Sequence, residues 1–154
     1  MQRLIAAALL ALLTACAAPT TTPAPSAPAA PLAVPVATLV PALAALPGAE
    51  ALEGEVGVGY PGEVLFAAGA VLPLPGGLEL LDPLAEVLHA HPGNRWSLRV
   101  RAATEHGKDY DLALAEGRAG LLQRFFTRRG ISAERLDWQV AAEDGAPLEV
   151  RPLP

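Results

Sequence analysis

Apolar and polar positions divide the chain into three unlike stretches. Residues 4 to 13 are ten consecutive apolar residues, and no charged residue occurs between Leu4 and Ala49. From 17 to 47, eight of 31 residues are proline. Each proline removes a backbone donor and biases its predecessor toward extended geometry, so this stretch predicts a disordered spacer, with a short helix over 37–46 as the competing reading. Beyond residue 51 the pattern becomes periodic. Residues 55–60 alternate weakly, as an edge strand would, and residues 63–66 predict a firmer strand. Leu78, Leu81, Leu84 and Leu88 recur at helical spacing. Pro83 interrupts that stripe, which predicts either a kinked helix over 76–90 or a helix from 83 with Asp82 as N-cap. Trp96, Leu98, Val100 and Ala102 alternate with Ser97, Arg99, Arg101 and Ala103, the period of a strand with one buried face. The longest helix is expected over 109–129, with Leu114, Leu121, Leu122 and Phe125 as its apolar stripe and Gly130 as its stop. Leu136, Trp138 and Val140 predict a third strand, and Asp144-Gly145 a hairpin turn into a last strand over 148–151. The order β-α-β-α-β-β predicts an α/β fold, an α+β sandwich whose mixed sheet has helices packed on one face.

Composition narrows the function. The chain has 154 residues and a formal net charge of −5, with 11 Lys+Arg against 16 Asp+Glu. Lys108 is its one lysine and no basic run occurs, so the electrostatic footprint of nucleic-acid binding is missing. One cysteine, Cys16, excludes an intramolecular disulfide framework and a multi-cysteine zinc site. His89 and His91 fall where a helix gives way to a loop and read as exposed side chains, so no metal and no cofactor are expected. No nucleophile–base motif is present, so no catalytic residue is assigned and a binding role is expected rather than an enzyme. Asp109, Asp111 and Glu116 read as surface charges of the long helix.

Arg3 followed by the apolar run reads as a secretory leader, too short to cross a hydrocarbon core that needs about 20 helical residues. Leu13-Thr14-Ala15-Cys16 resembles the bacterial lipobox. The resemblance implies a signal peptide over 1–15 and a mature chain that starts at a diacylated Cys16, palmitate being a typical acyl group. Ala17 in place of aspartate implies the periplasmic face of the outer membrane. The expected organisation is leader 1–15, anchor and Pro/Ala-rich linker 16–50, and folded domain 51–154. A linker of 31 polyproline-like residues would reach on the order of 90 Å.

One position breaks the pattern of the long helix. Arg118 lies four residues after Leu114 and four before Leu122, on the stripe that faces the sheet. A guanidinium there is costly unless it is paired or reaches an open edge. Glu105, in the connection that precedes the helix, is the nearest candidate partner. The two could form a structural ion pair, or line a crevice that holds a zwitterion, with the carboxylate binding an ammonium and the guanidinium a carboxylate.

The residues from 64 to 73, Val-Leu-Phe-Ala-Ala-Gly-Ala-Val-Leu-Pro, resemble the opening of the OmpA-like C-terminal domain. Leu98 to Glu105 is similar to the strand of that family that ends in G-H-T-D. Tyr110-Asp111-Leu112-Ala113-Leu114-Ala115-Glu116-Gly117-Arg118-Ala119 is similar to its Y-N-x-x-L-S-x-x-R-A helix, and Gly130-Ile131 with Arg135-Leu136 to its next segment. The resemblance covers about residues 55 to 152. With a lipobox and Pro-rich tether in front, it matches a peptidoglycan-associated-lipoprotein-like arrangement. It implies non-covalent binding of peptidoglycan through the diaminopimelate of the stem peptide, by Glu105 and Arg118, with Thr104 and Asp111 beside them. Ala102 and Ala103 stand where the family has Gly and His, Glu105 where it has Asp, and Asp111 where it has Asn. The implied partners are peptidoglycan, the outer membrane through the anchor, and envelope proteins. The alternative is a degenerate domain that has lost the ligand and serves as a protein-interaction scaffold.

Overall fold

The computed structural model describes residues 30–154; the leader, Cys16 and the spacer up to residue 29 lie outside the described residues. Two short strands, β1 (Glu50–Ala51) and β2 (Val58–Tyr60), are followed by the one-turn helix α2 (Gly62–Leu65), then α3 (Asp82–Ala90), β3 (Trp96–Ala102), α4 (Lys108–Arg128), β4 (Leu136–Ala142) and β5 (Leu148–Pro152). The strands form one mixed sheet in the order β1-β2-β5-β3-β4. β3 and β4 are parallel, in register from Trp96↔Leu136 to Ala102↔Ala142, and joined by α4. β5 lies antiparallel to both β3 and β2.

Alternation along β3 separates the two faces of the sheet. Trp96, Leu98, Val100 and Ala102 join Leu114, Ala115, Leu122 and Phe126 of α4 and Leu84 and Leu88 of α3 in one core. The other face is polar. Arg99 and Arg101 both engage Glu143, Arg101 also engages Glu149, and Arg151 bridges Glu149 and Glu55. Helix α4 ends on a Schellman motif: Gly130, at φ 78°, donates to Thr127 O and Ile131 to Phe126 O, while the Ile131 side chain is buried.

Five expectations are corrected. Residues 63–66 are not a strand. Val64 N–H donates to Pro61 O and Phe66 N–H to Gly62 O, closing a single helical turn after Pro61. The strand in this part of the chain is β2, and it is internal rather than an edge, flanked by β1 and β5. Asp144-Gly145 does not close a hairpin. β4 is the edge strand and β5 pairs on the opposite side of β3, so residues 143–147 cross over the C-terminal end of β3 instead, pinned where Arg101 N–H donates to Pro147 O at 3.0 Å. Asp82 is the first residue of α3, not its cap, and its carboxylate pairs with Arg129.

The fifth correction concerns where folding begins. Residues 36–44, expected in the spacer, form a 3₁₀ turn (Val36–Leu39) and helix α1 (Val40–Ala44). Leu39, Leu43 and Leu46 are buried in the core. Asn94 fastens the incoming segment at both polar groups of one residue: its Oδ1 accepts from Val34 N–H at 3.0 Å and its Nδ2 donates to Val34 O at 2.9 Å. Three leucines at helical spacing outweigh the prolines, because Pro35 and Pro41 occupy positions before and at the start of the turns, where no intrahelical donor is lost. The domain therefore starts well before residue 51.

Candidate functional site

Helix α4 rises from Gly107, whose φ of 95° turns the chain out of the β3 exit loop. Its stripe carries Arg118 to the C-terminal end of β3, and there the residue is 4% exposed. No carboxylate neutralises it among the described residues. Instead Nε donates to Ala70 O at 2.9 Å, Nη1 to Arg101 O at 3.2 Å and Nη2 to Ala67 O at 3.1 Å. Its Cζ also lies 4.7 Å from the centre of the Phe66 ring. The 67–70 loop reaches this position because α4 presents Gly117, not a larger residue, to Val71. Burial lowers the Arg118 pKa from the ordinary arginine value, with Tyr110 raising it again in smaller measure, and the group stays charged at physiological pH.

Three carbonyls occupy three of the five guanidinium N–H groups, leaving two without a partner among the described residues. Carbonyl dipoles orient the cation without cancelling its charge. Arg118 lines a cavity of about 490 Å³, which the end of β3 with the first residues beyond it (Arg101 to Thr104), the loop from Phe66 to Gly69, and Asp144 and Gly145 also wall. That volume is in the usual range of small-molecule sites, roughly 300–1,000 Å³. A buried, oriented, uncompensated guanidinium with spare donors in an open cavity suits a carboxylate.

The remaining expected site residues divide. Thr104 lines the cavity, and its hydroxyl donates to Asp111 Oδ1 at 2.6 Å. Asp111 is 6% exposed, not the surface charge its place in the first turn of α4 suggested, and it is not on the cavity wall. Glu105 does not meet Arg118. It is exposed, is not among the residues lining the cavity, and has no ion pair among the described residues. The clamp expected from these two side chains is not assembled, because β3 ends at Ala102 and Glu105 lies in the exposed exit loop between β3 and α4.

Two cavity residues escaped the reading of the sequence, Arg101 and Asp144. Burial lowers the Arg101 pKa, but hydrogen bonds to Glu149 and Glu143 outweigh it and the net shift is upward. The sequence pattern assigns Asp144 to a hairpin turn. Only the insertion of β5 between β2 and β3 brings it over the end of β3.

No family model and no curated protein sequence matches the chain. Solved structures do. A MotB-like protein from Desulfovibrio vulgaris is similar at a TM-score of 0.53 and 22% identity, covering 68% of this chain and 76% of that one. The periplasmic domain of Helicobacter pylori MotB is similar at 0.54 and 12%, covering 68% and 79%. An outer-membrane protein from Borrelia burgdorferi B31 is similar at 0.54 and 13%, covering 69% and 96%. At these identities the likeness is one of fold, and the fold is that of OmpA-like C-terminal domains.

Proposed function

We propose that this OmpA-like domain binds peptidoglycan without covalent bonds and tethers the cell envelope to the wall. The observation that carries this reading is the Arg118 cavity: a fixed guanidinium with two spare donors that pairs with no carboxylate among the described residues, suited to a carboxylate of the stem-peptide diaminopimelate. The fold shared with periplasmic MotB domains supports an address in the envelope. The protein acts as a binding module, not as an enzyme. Cys16 carries the lipid anchor, two or three acyl chains being enough for stable attachment to the outer membrane. Because the chain is already docked at Val34, the tether between Cys16 and the domain ends before residue 34 rather than at residue 47.

A second reading, a scaffold for envelope proteins that has lost the ligand, draws on the position of Glu105 outside the cavity. Co-sedimentation with purified sacculi separates the two. A soluble form spanning 17–154, which contains every described residue, is expected to sediment with sacculi and to be released by a soluble stem peptide carrying diaminopimelate. Folded protein that stays in the supernatant at low salt contradicts the cell-wall reading and favours the scaffold.

A further inference from the structure

We propose that Asp144 is the acid of the Arg118 cavity, so that the site takes an amino-acid zwitterion with its carboxylate on Arg118 and its ammonium on Asp144. This assignment rests on the peptidoglycan reading and names the partner group of the same site.

Topology places the residue. β4 is an edge strand and β5 lies on the far side of β3, so the connecting segment has to pass over the end of β3, where the cavity opens. Two contacts fix its path. Pro147 O accepts from Arg101 N–H. Gly145, at φ 133°, lies against the Arg101 guanidinium so closely that a Cβ there would stand 2.9 Å from Nη1 and 3.4 Å from Cζ. Arg101 is itself a firm support: it is 8% exposed, its Nε donates to Glu143 Oε1 at 2.7 Å, and its Nη1 engages Glu149.

Charge bookkeeping then singles out Asp144. Glu143 engages Arg99 and Arg101, and Glu149 engages Arg101 and Arg151, so the cation Arg101 is fully matched. Among the described residues neither Arg118 nor Asp144 has an ion-pair partner, and both line the cavity. The wall therefore presents one uncompensated cation and one uncompensated anion. Thr104 adds a hydroxyl, and the alanines Ala102 and Ala103 leave room instead of a side chain that would compete. Glu105, which the spacing pointed to, is outside this wall.

The test uses the soluble 17–154 form in sacculus sedimentation at low salt, with Asp144→Asn, Glu105→Gln, and sacculi whose free amines have been N-acetylated. Asp144 is exposed, so Asp144→Asn keeps the fold, which circular dichroism checks. Loss of one charge-assisted contact weakens binding by about tenfold for Asp144→Asn, and Glu105→Gln stays within about twofold of wild type. Acetylation weakens wild type by the same factor as Asp144→Asn and leaves that variant unchanged. Wild type that sediments while Asp144→Asn sediments equally well, or a loss carried by Glu105→Gln, overturns this assignment and leaves the peptidoglycan reading standing. Wild type that does not sediment overturns both.

Discussion

Two arginines at opposite poles of the sheet use the same chemistry for different ends. Arg118, at the C-terminal ends of β3 and β4, donates to three carbonyls and opens on a cavity. Arg135, just before β4, also donates to three carbonyls, with Nε on Asn94 O at 3.1 Å and Nη2 on Leu88 O at 2.6 Å and His91 O at 2.7 Å. Burial lowers the pKa of both. Around Arg135 the pole is closed: the carbonyls it takes lie at the end of α3 and in the following turn, and Asn94 in turn fastens Val34. There the cation satisfies orphan helix acceptors and its work is structural. At the Arg118 pole the 67–70 loop and the 143–147 crossing flank a cavity instead of closing it, and the guanidinium keeps donors for a ligand. A carbonyl-held arginine is thus no sign of function by itself. The empty space beside it decides.

Substitution at each pole should separate the two roles. Arg118→Ala is expected to weaken sacculus binding by about a hundredfold or more, the loss of a bidentate charge-assisted contact. Arg135→Ala is expected to leave the binding of folded protein within about twofold while lowering unfolding stability by roughly 2–3 kcal/mol, since it strands three carbonyls. Sedimentation and urea denaturation read the two quantities, and a binding loss in Arg135→Ala breaks the comparison. Leu39→Ala tests the closed pole from the side of the N-terminal segment. Its side chain is 0% exposed, so truncation is expected to cost about 2–5 kcal/mol, whereas a spacer residue would cost nothing measurable.

The smallest effect is on pH dependence. The hydrogen bond from Arg101 holds the Glu143 carboxyl below its ordinary value of 4.5, with burial opposing and Arg99 assisting. A depressed carboxylate stabilises the fold above that ordinary value and loses its contribution as pH falls through the lowered native one. The melting temperature should therefore decline on acidification below about pH 4.5, and Glu143→Gln should flatten part of that decline. An identical acid profile in the variant shows that Glu143 does not support Arg101.

How much of this was legible in the sequence follows from range. The β3 alternation, the α4 stripe and the Gly130 stop depend on neighbours within a turn or two, and they are where the periodicity placed them. Arg118 was legible for the same reason, as a charge on an apolar stripe. What pairs with what was not. β5 inserts beside β3 rather than folding back on β4, and this long-range choice turned a hairpin turn into a cavity wall and brought Asp144 in while Glu105 stayed out. The boundary at 51 failed because proline frequency masked Leu39, Leu43 and Leu46, whose spacing is helical and whose partners lie in distant segments.

The most direct measurement is the ¹⁵N chemical-shift response of the soluble domain to a diaminopimelate-containing stem peptide. The account predicts saturable shifts at the Arg118 side-chain Nε–H, the Thr104 amide and the amides of Asp144 and Gly145, with the Arg135 Nε–H unmoved. Shifts confined to the surface between α3 and α4, or no response at millimolar peptide from a folded domain, would contradict it.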